Sequence, residues 1–83
     1  MNIYVGNLSY KLSEDDLKQV FEEFGEITSV KIIKDKYSGR SKGFAFVEMA
    51  EDGDAKSAID KLNGKELDSR KIVVNEARPK NTN

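Results

Sequence analysis

Lys42-Gly43-Phe44-Ala45-Phe46-Val47-Glu48-Met49 is the stretch on which the reading of this chain turns. As a strand it places Phe44, Phe46 and Glu48 on one face and Ala45, Val47 and Met49 on the other. The Ala/Val/Met face is an ordinary core face. The opposite face carries two phenyl rings two residues apart, preceded by Lys42 and Gly43 and followed by a carboxylate. In an antiparallel sheet covered on one side only, that second face meets water, where paired aromatics are costly unless a ligand covers them.

Outward from this strand, the chain alternates between two periodicities. Residues 2–6 (Asn-Ile-Tyr-Val-Gly) form a short strand with Ile3 and Val5 on one face and Tyr4 on the other, ending in Gly6-Asn7 turn chemistry. Ser13-Glu14-Asp15-Asp16 is a capping box, and its acids suit the positive end of a helix dipole. Leu17, Val20, Phe21 and Phe24 follow at helical spacing, so Phe21 and Phe24 are expected in the core, and Gly25 stops the helix. Residues 27–34 are β-branched and alternate around Val30 and Ile32. The polar run Asp35-Lys36-Tyr37-Ser38-Gly39-Arg40-Ser41 then predicts a long hairpin loop into the central strand.

A second helix is predicted over 51–62, with Ala55, Ala58, Ile59 and Leu62 on its apolar face and Asn63-Gly64 as its stop. Leu67 is expected to pack back, and residues 71–75 to form a last strand with Ile72 and Val74 inward. The order is βαββαβ, an α+β, ferredoxin-like arrangement: a four-stranded antiparallel sheet with two helices on one face. The chain divides into a domain over 1–78 and a C-terminal tail over 79–83 that has no apolar anchor and is expected to be mobile.

Composition narrows the function. Eighty-three residues make one domain, of a size that buries only about 60% of its unfolded surface. There is no room for a deep active-site cavity. The absence of cysteine and histidine removes disulfides, thiol nucleophiles and nearly every zinc or haem constellation. An enzyme is not expected, since the acids fall mainly on helix surfaces and no nucleophile is held beside a base. Gly39-Arg40-Ser41-Lys42-Gly43 lacks the Gly-Lys-Ser/Thr of a phosphate loop and precedes a strand instead of a helix. No run approaches the roughly 18 apolar residues of a membrane span. A soluble cytoplasmic protein is therefore expected, with a nuclear setting left open.

The formal net charge is −1, against the basic balance usual in nucleic-acid binders. Its distribution matters more. Lys31, Lys34, Lys36, Arg40 and Lys42 stand against Asp35 alone, and Arg70, Lys71, Arg78 and Lys80 against Glu76. The acids gather at Glu14, Asp15, Asp16, Glu22, Glu23 and Glu26, and again at Glu51, Asp52 and Asp54. Such segregation polarises a surface.

The stretch from Lys42 to Met49 resembles the signature octamer of the RNA recognition motif family in seven of eight places, with Met49 standing for an aromatic on the inward face. Ile3-Tyr4-Val5-Gly6-Asn7-Leu8 is similar throughout to the family's second signature, a hexamer on the first strand. The resemblance implies that the two strands lie side by side, bringing Tyr4, Phe44 and Phe46 together on the open face. It further implies that Tyr4 and Phe46 each stack a base, that Phe44 packs against the sugars between them, and that Lys42 neutralises a phosphate. Asn75 and Glu76 lie where the family reads base edges from its last strand. By alternation Lys31 and Ile33 share the open face and flank the bound strand. For Lys36, Arg40, Arg78 and Lys80, surface solvation and phosphate contact both stay open, and Tyr37 either stacks or caps the hairpin.

The expected partner is single-stranded RNA, bound by a monomer without a cofactor and without a membrane. Two alternatives stand beside it. Single-stranded DNA offers the same flat bases and phosphates. A protein-interaction module would instead use the helical face, and loss of the rings would mark it.

Overall fold

The structure, a computed structural model, describes residues 1–39 and 41–77, with Ser41 and Lys42 described by their backbone alone. The tail over 79–83 lies outside the described residues.

Strand β1 (Asn2–Gly6) is followed by helix α1 (Glu14–Glu22), strands β2 (Ile27–Lys34) and β3 (Ser41–Met49), helix α2 (Asp52–Leu62), a small hairpin of β4 (Glu66–Leu67) and β5 (Arg70–Lys71), and strand β6 (Val73–Glu76). The main sheet has the order β2-β3-β1-β6, with every neighbouring pair antiparallel. This is the expected ferredoxin-like plan. The capping box of α1 forms as read: the Asp16 amide donates to Ser13 Oγ at 3.1 Å, and the Ser13 amide donates to Asp16 Oδ2 at 3.0 Å. Helix α2 starts one residue later than its pattern, since Glu51 is an N-cap with no side-chain capping bond.

The two helices meet the sheet through one core. Leu17, Phe21, Ala55, Ala58 and Leu62 pack with the sheet residues Ile3, Val5, Ile32, Ala45, Val47, Met49 and Val74. Phe21 is fully buried, whereas Phe24 is only partly buried at the margin, because it follows the last turn of α1. Met49 is 1% exposed and fills the core face where the family octamer has an aromatic.

The last strand differs from its expected span. Ile72 is buried, but its amide donates to the Lys65 carbonyl at 3.0 Å and its carbonyl accepts from the Gly64 amide at 2.9 Å. Those bonds turn the chain aside at Ile72, so residues 70–71 pair with β4 and only residues 73–76 pair with β1.

Both outer strands of the main sheet carry a side-chain acceptor on their free edge. The Ile32 amide of β2 donates to Glu14 Oε2 at 3.1 Å, and the Val74 amide of β6 donates to Asn63 Oδ1 at 3.0 Å. An unpaired edge amide is a template for another strand, and these two are occupied from within the chain.

Candidate nucleic-acid interface

The sheet registers arrange the open face as a grid. Tyr4 of β1 stands directly opposite Phe46 of β3 on one side and Asn75 of β6 on the other, and Phe46 stands opposite Lys31 of β2. Lys31, Phe46, Tyr4 and Asn75 therefore form one row across the sheet. A second row, towards one end of the strands, holds Ser29, Glu48 and Asn2. Towards the other end, Gly6 stands opposite Val73.

The three rings converge. Tyr4 and Phe44 have centroids 6.0 Å apart, Tyr4 and Phe46 5.9 Å, and Phe44 and Phe46 6.3 Å, the last two pairs edge to face. These separations lie within the favourable range for aromatic pairs, each worth about 0.5–1.5 kcal/mol beyond burial. The rings hold one another in place with no layer above them among the described residues. Phe46 keeps 39% of its surface exposed, while Tyr4 and Phe44 are half-buried.

Two glycines shape this platform. A Cβ on Gly6 would fall against the Tyr4 ring, 2.8 Å from Cε2 and 2.9 Å from Cζ, so the missing side chain is what lets Tyr4 lean along the sheet. Gly43, the third residue of β3, has φ +87°, a conformation L side chains rarely adopt, and its carbonyl accepts from the Leu8 amide at 2.8 Å.

Of the residues singled out in the sequence, Tyr4, Phe44, Phe46, Lys31 and Asn75 come together on this face, with Ile33 half-buried two residues beyond Lys31 on β2. Glu76 does not join them. It pairs with the core-facing Ile3, so its side chain leaves the sheet on the helical side. Arg40, Arg78, Lys80 and the side chain of Lys42 lie outside the described residues. Tyr37 is 99% exposed, at a turn in which Asp35 Oδ1 accepts from the Tyr37 amide at 2.7 Å.

Sequence reasoning passed over several open-face residues. Asn2, Ser29 and Val73 (41% exposed) carry no motif, and only the strand registers align them with the rings and with Glu48, which the alternation of β3 already puts on the ring face without a role. Asn7, at φ +57°, donates from Nδ2 to the Lys71 carbonyl at 2.7 Å and accepts from Arg70 Nη2 at 2.8 Å, tying the end of β1 to the small hairpin. Among the described residues no group of acids could hold a metal ion, and no helix is long and apolar enough to cross a membrane.

A ferredoxin-like domain with one helical face and one bare aromatic face is the class that this geometry defines. The chain belongs to the RNA recognition motif family, whose model matches residues 3–73. It is similar to RbpD of Nostoc sp., at 50% identity over 80 residues that make up 96% of this chain and 85% of that protein. Among solved structures it resembles that of the RNA-binding protein PG1, with a TM-score of 0.91 and 48% identity over 96% of this chain and 99% of that one. It also resembles the Rna15 RNA recognition motif with bound RNA (GU), with a TM-score of 0.85 and 28% identity over 98% of this chain and 86% of that one.

Proposed function

We propose that this protein binds single-stranded RNA on the open face of its sheet, as a non-enzymatic module. The observation that carries the reading is the trio of rings within 5.9–6.3 Å of one another on a face that no helix or strand among the described residues covers. Tyr4 and Phe46 each stack one base, a contact worth about 1–3 kcal/mol. Phe44 lies against the sugars between them. Lys42, Arg40 and Arg78 neutralise phosphates, Lys31 and Ile33 flank the strand, and Asn75 meets a base edge. Glu76 contributes through its main chain, since its register turns the side chain away.

Membership of the RNA recognition motif family supports the reading, as do PG1, described as an RNA-binding protein, and the RNA-bound Rna15 domain. The working unit is the domain over 1–78, acting as a monomer, which the occupied sheet edges favour. Its setting is the cytoplasm, which cell fractionation checks.

The test is a fluorescence titration of a labelled random single-stranded RNA pool and a matched DNA pool. Phe46→Ala is expected to weaken RNA binding by about 1–3 kcal/mol while the circular dichroism stays native. Unchanged affinity would remove the stacking assignment. Tighter binding of the DNA pool would transfer the function to single-stranded DNA.

A further inference from the structure

Beside Phe46 the open face dips into a cleft of about 290 Å³, lined by Asn2, Ser29, Lys31, Phe46, Val47, Glu48 and Ala77. That volume falls just short of the range of small-ligand pockets, roughly 300–1,000 Å³. It has an apolar wall, the Phe46 ring, and a rim carrying both an anion and a cation. Glu48 and Lys31 are exposed, and neither forms an ion pair among the described residues. A carboxylate on an RNA-binding face repels phosphate, so it opposes binding unless the ligand gives it hydrogen-bond donors. Glu48 follows Phe46 by two residues on the same strand, about 7 Å away at some 3.3 Å per residue. That distance is roughly a base's half-width plus one hydrogen bond of about 2.9 Å.

We infer that Glu48, together with Lys31, makes the subsite at Phe46 selective for guanine. The inference rests on the stacking reading above and adds the choice of base. The Watson–Crick edge of guanine presents two adjacent donors, N1–H and the N2 amino group, beside one acceptor, O6. The two carboxylate oxygens of Glu48 accept both donors, a charge-assisted bidentate pair. The Lys31 ammonium, next to Phe46 in the same row, donates to O6.

The other bases fit less well. Adenine and cytosine each place an acceptor nitrogen beside their one amino group, which faces the second carboxylate oxygen with a lone pair. Uracil sets its single N–H between two carbonyl oxygens. Only guanine satisfies both oxygens of Glu48 and the cation at once.

The experiment compares octamers of uridine that contain one guanosine, one inosine, one adenosine or no substitution, titrated against the wild-type chain, Glu48→Gln and Lys31→Met. A single purine lets the protein choose its own register on the octamer. Wild type is expected to bind the guanosine octamer about tenfold tighter than the uridine one, within the discrimination of one bidentate pair. Inosine, which lacks the N2 amino group, should lose most of that gain. Glu48→Gln should bring guanosine and inosine to within about twofold of each other, while binding of the uridine octamer holds or improves as the negative charge is removed. Lys31→Met should reduce the preference of guanosine over adenosine.

A Glu48→Gln protein that tightens or weakens all four octamers equally would show Glu48 to be bulk charge and overturn the inference. So would a wild type that binds guanosine and uridine octamers alike. Failure of wild type to bind any octamer would instead overturn the stacking reading, and this inference with it.

Discussion

Phe44 and Phe46 lie on the same strand as Ala45 and Val47, yet the two pairs live in different solvents. Ala45, Val47 and their cross-strand neighbours Val5 and Ile3 are fully buried under α1 and α2. One residue away on either side, the rings stand on the other face, where among the described residues they pack chiefly on each other and on Tyr4. The helical side uses small and branched residues that let two helices approach the sheet closely. The open side uses large flat residues whose partner has to come from outside. Phe21 makes the contrast within one residue type: fully buried on α1, it does for the core what Phe46 cannot do at 39% exposure. The same side chain serves stability on one face and binding on the other.

Removing Phe21 is the strongest way to test that division. Phe21→Ala should cost about 3–5 kcal/mol of stability, a large part of the roughly 5–15 kcal/mol available to a small domain. Thermal and urea unfolding would read it. If Phe46→Ala proved equally destabilising, the open face would be a second core surface and the contrast would collapse.

A subtler break comes at Gly6. A methyl group there must displace the Tyr4 ring, because Cε2 and Cζ lie within 2.9 Å of the added carbon. Gly6→Ala is expected to weaken RNA binding about as much as Tyr4→Ala, by about 1–3 kcal/mol, and to leave Tyr4→Ala little worsened when the two are combined. Additive losses in that double-mutant cycle would mean Gly6 acts independently of the ring.

The edge between the two faces gives a smaller effect of the opposite kind. Glu14→Ala frees the Ile32 amide at the β2 edge and should lower stability by about 1 kcal/mol, with RNA affinity unchanged at a temperature where the domain stays folded. Self-association of this variant in sedimentation, absent in wild type, would confirm that the carboxylate guards the edge. A stability equal to wild type would leave the bond without weight.

The least change is expected from the helical side. Reversing Glu22 and Glu23 to Lys adds positive charge on and just after α1, remote from the rings and screened over a Debye length of about 8 Å. The loss of the 3.9 Å Lys18–Glu22 pair costs little at an exposed i,i+4 site, about 0.3–0.5 kcal/mol. RNA affinity should rise only slightly. A large loss of RNA binding would place the ligand on the helices and reverse the assignment of the two faces.

Much of this was legible along the chain because period and capping are local. The alternation of Phe44 with Ala45 follows from the pleat alone. The Ser13–Asp16 box and the stripe of Leu17 and Phe21 need only helical geometry. The strand beginning at Lys71 was harder. Its apolar pattern says nothing of the bonds that Gly64 and Lys65 make to Ile72, which divide it between two sheets.

The sequence by itself determined which residues leave the core, since side-chain parity within a strand and periodicity within a helix need no knowledge of the rest of the fold. Only the tertiary structure decided which of those residues meet. Register between strands is set by turns, bulges and packing far from the residues it aligns. It is register that puts Lys31 beside Phe46, sets Glu48 between Ser29 and Asn2, and places Asn75 beside Tyr4. Gly6, which the chain shows only as the end of a strand, acquires its role because the Tyr4 ring lies across it.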